Sequence, residues 1–153
     1  MAPLPTFTPR LAAPPEALDD DPQLSTVMSR DVVAIDAEAR LPTALQVMAT
    51  TGVRHLPVVE RGRCLGVVVE ADLIRRLAAD SHPLGTAVTT VLRHLCRPAP
   101  ELPPTARVSE AARNMAGDVS DAVLVTERGR VVGVVTATDL VRLLARHDAR
   151  RTS

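Results

Sequence analysis

Thr136 and Asp139 stand three residues apart where an apolar run, Val131 to Val135, gives way to a helical pattern. A carboxylate in the first turn of a helix can accept hydrogen bonds from both hydroxyls of a sugar diol, as acidic side chains do in dinucleotide-binding folds. The threonine adds a hydroxyl, and a helix N-terminus offers unpaired amides and a positive dipole that favour an anion. The same carboxylate serves equally well as a plain helix cap worth ~0.3–1 kcal/mol, and the two roles are compatible. Asp72 holds the corresponding place in an earlier segment, but Val69 and Glu70 replace Thr136 and Ala137 there. That exchange deletes a donor, at a cost of about 1 kcal/mol or more, and adds a negative charge.

The other reactive side chains are scattered. Cys64 and Cys96 are isolated thiols in a chain without a secretion-type start, so they are expected to be reduced structural residues of a cytoplasmic protein. His94 and Cys96 have the spacing of a metal-ligand pair, but no second Cys/His pair accompanies them, and no metal site is expected. All 18 basic residues are arginine, which excludes a Walker A loop, a Schiff base and a lysine general base. Ser109 and His55 sit in no activating motif, so neither catalysis nor a catalytic cofactor is expected. With zero formal charge, no basic tract and Phe7 as the single aromatic, the chain lacks the phosphate contacts and stacking platforms of a nucleic-acid partner. No stretch approaches the ~18 apolar residues of a membrane span, so no membrane association is expected.

The elements that must position these residues are written twice. Leu41 to Ala78 reappears as Val108 to Ala145, each copy carrying Glu-Arg-Gly-Arg, then Gly-Val-Val, then an Asp-Leu pair. A unit of ~60 residues is marginal alone, so the copies are expected to stack around one shared core. In the first copy, Val32 to Ile35 reads as a strand and a helix follows from Leu41, with Pro42 in its first turn and Leu41, Ala44, Leu45 and Met48 on its buried face. Leu56 to Val59 and Leu65 to Val69 read as a hairpin, with Gly62 where the turn needs positive φ. A helix from about Ala71 is expected to face Leu73, Ile74, Leu77 and Ala78 inward.

Thr86 to Leu95 reads as a short helix leading into the second copy. Strands at Ala99 to Leu102, Ala122 to Val125 and Val131 to Val135 then alternate with helices at Val108 to Ala116 and Thr138 to Arg146. The expected organisation is a disordered proline-rich tail over 1–22, a first repeat over 23–80, a linker over 81–85, a second repeat over 86–147 and a tail over 148–153.

This β-α-β-β-α order, written twice, resembles a tandem pair of cystathionine-β-synthase (CBS) domains, a Bateman module. Gly133 to Leu140 matches the family's G-h-h-T-x-x-D-h signature, where h is apolar, and His55-Leu56-Pro57-Val58-Val59 resembles its apolar-Pro-Val-Val second strand. The resemblance spans roughly Leu24 to His147 and implies an α/β (α+β) fold in which two repeats pack as one pseudo-twofold module.

It also implies a function. Such pairs bind AMP, ADP, ATP or S-adenosylmethionine in clefts between the repeats, where the Thr and Asp of one repeat face the first-strand approach and second-strand start of the other. By that resemblance Thr136, Thr138 and Asp139 face Asp31, Val32, Val53, Arg54 and His55, with Arg142 nearby. Asp72 and Val69 face Pro98, Ala99, Val119, Ser120 and Asp121 in a degraded second cleft. Arg54, and with it Arg142, would meet phosphates, although Arg54 fits a solvated surface role as well. With no tryptophan or tyrosine, an adenine would slot between aliphatic groups such as Val32 and Val53, which otherwise read as core. The family's habit of pairing as flat dimers implies a homodimer, and a sensor without an effector domain implies output through an unknown effector protein. The alternative is a ligand-free structural or dimerisation adaptor.

Overall fold

A computed structural model of the protein describes residues 21–80, 85–118 and 120–151. Each copy of the repeat builds one three-stranded sheet. In the first, β1 (Ile35–Asp36) pairs parallel with β2 (His55–Glu60), which pairs antiparallel with β3 (Arg63–Val69). In the second, β4 (Glu101–Leu102), β5 (Ala122–Glu127) and β6 (Arg130–Thr136) repeat that order and those directions. A short α1 (Leu24–Val27) precedes the first sheet; α2 (Leu41–Thr51) and α3 (Glu70–Ala79) belong to the first copy, α4 (Val108–Asp118) and α5 (Ala137–Arg151) to the second.

The duplicated tetrapeptides make equivalent two-residue turns. Arg61 and Gly62 have φ of 48° and 75°, and Arg128 and Gly129 have 52° and 76°. Positive φ at both central residues is the type I′ pattern whose twist suits a hairpin, and the glycine adopts it without steric cost. Gly52, at φ 76°, ends α2 in the left-handed conformation and donates its amide to the Met48 carbonyl.

Each sheet carries its own core, in place of the single shared core expected from the sequence. Leu41, Met48, Leu56, Val58, Val68 and Leu73 cluster in the first, and Ala111, Met115, Val123, Val125 and Val135 in the second. Strand alternation turns Val67, Val69, Ala122 and Leu124, also buried, to the opposite sheet faces, and β3 and β6 adjoin between the repeats. The segments preceding each sheet are exchanged. Leu24 fills the second core, while Ala87 and Leu92 fill the first.

The exchanged segments also pair with the strands they cross. Ser29 and Val134 exchange backbone hydrogen bonds of 3.0 and 3.1 Å, and Arg97 and Val67 exchange bonds of 2.9 and 3.0 Å. This explains the glycine of each Gly-Val-Val. A Cβ on Gly66 would lie 2.4 Å from the Arg97 carbonyl oxygen, and one on Gly133 would lie 2.4 Å from the Met28 sulfur. It also explains why the strands expected at Val32 to Ile35 and Ala99 to Leu102 shrink to two residues each. The backbone ahead of them is committed to the other repeat.

Other departures have local causes. Thr86 to Leu95 is two 3₁₀ turns, Thr86–Thr89 and Leu92–His94, because the Thr90 carbonyl accepts the Leu41 amide and Val91 bridges to Arg40 at the start of α2. On α3, Leu73 is buried and Leu77 half-buried, but Ile74 is 52% exposed and Ala78 is exposed as well. The helix buries one i, i+4 stripe and turns its neighbouring apolar side chains outward. Asp21 and Pro22, grouped by composition with the proline-rich segment, dock on the second repeat. Asp21 accepts bonds from the Ser109 amide (2.8 Å) and hydroxyl (2.6 Å), and Pro22 accepts from the Val108 amide. The rest of that segment, residues 81–84 of the linker and residues 152–153 lie outside the described residues, while residues 148–151 of the expected tail continue α5.

Candidate functional site

The exchange of segments leaves a cleft of ≈ 490 Å³ between the repeats. One wall is the first repeat, with Asp31 and Val32 on the approach to β1, and Val53, Arg54 and His55 between α2 and β2. The other is the β6–α5 junction, with Thr136, Thr138, Asp139 and Arg142. Every residue that the sequence assigned to the Asp139 cleft lines this one cavity. Ser29, Val33, Gly52, Asp121, Val134 and Ala137 line it too and were not assigned to it. The signal for Ser29 was Gly133, a strand glycine that leaves room for the Met28 side chain of the crossing segment.

Thr136 and Asp139 form a reciprocal pair around the start of α5. The Thr136 amide and hydroxyl both donate to Asp139 Oδ2 at 2.9 Å, and the Asp139 amide donates to the Thr136 hydroxyl at 3.3 Å. This is the logic of a capping box with a shorter acid in the third helical position. Oδ2 is therefore held by the helix, while Oδ1 has Arg142 Nη1 at 3.9 Å. Two first-turn amides already have acceptors, since Ala137 donates to the Asp121 carbonyl at 2.8 Å and Asp139 to Thr136. The bare helix N-terminus expected for a phosphate is partly filled.

Asp121 reaches beyond its expected place. The sequence assigned it to the Asp72 cleft, yet it borders both depressions. Its Oδ1 lies 2.9 Å from His55 Nε2 and 3.9 Å from Arg97 Nη2. The His55 contact is ionic in distance but off-axis, so buried Nε2 makes no hydrogen bond. Burial of the Asp121 carboxyl pushes its pKa up, but the adjacent His55 and Arg97 outweigh this and hold it below the ordinary carboxylate value. The Asp139 cleft thus mixes Asp31, Asp121 and Asp139 with Arg54 and Arg142, and is less purely cationic than the assignment of Arg54 and His55 alone suggested.

The second depression, of ≈ 450 Å³, is lined by Arg97, Met115, Ala116, Ser120 and Asp121. Of the residues assigned to it, Ser120 and Asp121 are there; Asp72, Val69, Pro98 and Ala99 are not in its lining, and Val119 lies outside the described residues. Val69 precedes α3 and offers no side-chain cap. Asp72 turns instead to Arg75 Nη2 at 2.8 Å and Arg97 Nε at 3.4 Å. Cys64 and Cys96 are free, and burial pushes both thiols above their ordinary range, which suppresses the reactive thiolate. Among the described residues no cluster of three or more His, Cys, Asp or Glu could hold a metal, and no helix is long and apolar enough to cross a membrane.

The family model for the CBS domain matches residues 24–79 and 92–146. The chain belongs to the CBS domain family. Solved structures agree on the fold of this CBS pair: the CBS domain pair of protein MJ0100, in complex with 5′-methylthioadenosine and S-adenosyl-L-methionine, superposes with a TM-score of 0.73 at 19% identity, covering 83% of this chain and 98% of that one. Among curated relatives, a homoserine O-acetyltransferase of Methanococcoides burtonii is 29% identical over 79% of the chain and 24% of its own length. An inosine-5′-monophosphate dehydrogenase of Thermoplasma acidophilum is 30% identical over 84% of the chain and 25% of its own length. The chain spans about a quarter of these enzymes.

Proposed function

We propose that this CBS pair is a regulatory module that binds one adenosine-containing ligand in the Asp139 cleft and passes the resulting change to a partner protein. The observation that carries this reading is the Thr136–Asp139 pair, which commits Oδ2 to the helix and leaves Oδ1 with Arg142 at 3.9 Å in a cleft lined by both repeats. A ribose diol would bond to Oδ1. Arg54 and Arg142 would meet an anionic group, and Val32 and Val53 would flank the base. The adenosine ligands of MJ0100 favour the same chemistry. Binding on two repeats at once selects the conformation in which the walls are correctly spaced, which gives a partner two states to distinguish.

A homodimer fits the apolar side chains left outside. Ile74 on α3 and Val141 and Leu144 on α5 are 52%, 64% and 70% exposed, and such helix faces suit pairing with another copy. The adaptor alternative draws on Asp121, whose negative charge enters the cleft that an anion would occupy.

Calorimetry with AMP and S-adenosylmethionine tests the reading. Asp139→Ala is expected to lower affinity at least tenfold, while Asp72→Ala leaves it within twofold. Equal losses in both variants, or none in Asp139→Ala, would overturn it. Because the chain has no tryptophan or tyrosine, a strong purine absorbance band in purified protein would also reveal a retained ligand, and mass spectrometry would name it.

A further inference from the structure

The exchanged segments make Ser29 and Arg97 structural counterparts. Ser29 bridges to Val134 and Arg97 to Val67, and these two valines hold the same position in their repeats, directly after Gly133 and Gly66. One cleft therefore receives a serine from the crossing backbone and the other an arginine. Ser29 lines the cleft of ≈ 490 Å³. The Arg97 guanidinium stands between two carboxylates, 3.4 Å from Asp72 and 3.9 Å from Asp121.

We propose that Arg97 is an internal occupant of the second cleft, standing in its lining beside Asp121 and in ionic contact with Asp72 outside that lining, and so limits the chain to one bound ligand. The stoichiometric part rests on the reading of the Asp139 cleft as the ligand site. Three features make the occupation persistent. The Arg97 backbone is fixed to β3 by hydrogen bonds of 2.9 and 3.0 Å with Val67, and Gly66 lets its carbonyl approach within 2.4 Å of where a Cβ would stand, so only the side chain must be ordered. Asp72 has no threonine to hold it, because Val69 gives α3 no side-chain cap. A planar guanidinium also presents several donors in fixed geometry, and can address two carboxylates together. An isolated exposed ion pair contributes little; here the pair fills the place of a ligand.

The test has a ligand-free arm and a ligand arm. In NMR spectra of the unliganded chain, the Arg97 Nε–Hε resonance, assigned by its loss in Arg97→Ser, is expected away from the solvent-exposed arginine position and to return there in Asp72→Asn. A resonance at the exposed position in the unsubstituted chain would overturn the proposal. In calorimetry with AMP and S-adenosylmethionine, Ser29→Arg is expected to weaken binding at least tenfold. Val69→Thr alone is expected to keep one equivalent, and Val69→Thr with Arg97→Ser to take up two. Two equivalents with Val69→Thr alone, or unweakened binding by Ser29→Arg, would overturn it. If the unsubstituted chain binds neither compound, the ligand-site reading fails, and the arginine resonance alone decides whether Arg97 occupies the cleft.

Discussion

Thr136→Val gives the second repeat the residue that the first repeat carries at Val69, with little change of side-chain volume. The hydroxyl it removes donates to Asp139 Oδ2 at 2.9 Å and accepts from the Asp139 amide at 3.3 Å, whereas the 2.9 Å bond from the Thr136 amide to Oδ2 survives. Loss of an N-cap hydroxyl costs ~0.5–2 kcal/mol, and the part-buried setting and one long bond place this case near ~1 kcal/mol. In a chain of this size that corresponds to a fall of roughly 2–4 °C in unfolding midpoint. Far-UV circular dichroism is the suitable readout, because no tryptophan or tyrosine reports on unfolding. Thr136→Ser keeps the hydroxyl and is expected to melt close to the unsubstituted protein. The reasoning fails if Thr136→Val melts with the unsubstituted protein, or if the serine variant falls as far as the valine. The structure already shows what an uncapped carboxylate does at this position, since Asp72 swings to Arg75 three residues on, at 2.8 Å. Arg142 stands in the same relation to Asp139 and would receive it.

Gly66→Ala is expected to destabilise more than Gly133→Ala, by at least ~1 kcal/mol in urea unfolding. The new methyl meets a backbone carbonyl at Gly66, where φ is 154°, but the flexible Met28 side chain at Gly133; equal losses would contradict the rigidity assigned to the Arg97 crossing. The Asp21 carboxyl is held below its ordinary pKa by the Ser109 hydroxyl and amide, which outweigh the opposing effect of burial, with Arg107 and Arg113 adding lesser contributions. A carboxylate with a depressed folded-state pKa stabilises above its unfolded value and loses that contribution as pH falls through the folded one. Asp21→Ala should therefore lower the melting midpoint at neutral pH and match the unsubstituted protein below the carboxylate range, and a pH-independent difference would exclude the charge-assisted cap.

What was legible in the sequence was whatever depends on local pattern. The hairpins followed from Gly62 and its copy Gly129, α2 and α4 from their apolar period, and the walls of the Asp139 cleft from family resemblance. The features that escaped are long-range. Nothing near Leu24 says that it will fill the core of the other repeat, and the short β1 and β4 follow from partners far along the chain. The outward turn of Ile74 escaped because periodicity gives the apolar stripe of a helix but not the width of the surface it meets. Asp121 was assigned to one cleft when it borders both, since repeat symmetry pairs each residue with one site and a side chain near the axis can serve two.

The difference between the clefts is better understood as two coupled substitutions than as the decay of one motif. Valine at 69 removes the hydroxyl that would aim Asp72, and an uncapped carboxylate at a helix start needs another donor. Arg75, one turn on, supplies it at 2.8 Å, and Arg97 from the crossing segment adds an ionic contact at 3.4 Å while standing 3.9 Å from Asp121, the side chain beside His55. With Arg97 as the proposed occupant, the second cleft stays closed even where threonine at 69 would let its own helix hold the carboxylate, whereas with serine at 97 Asp72 would keep only Arg75. Because Asp121 touches both sides, anything that draws His55 or Asp121 toward a ligand in the first cleft also loosens one of the two carboxylates that hold Arg97. If both proposals hold, Asp121 is the one side chain common to the two clefts, 2.9 Å from His55 and 3.9 Å from Arg97.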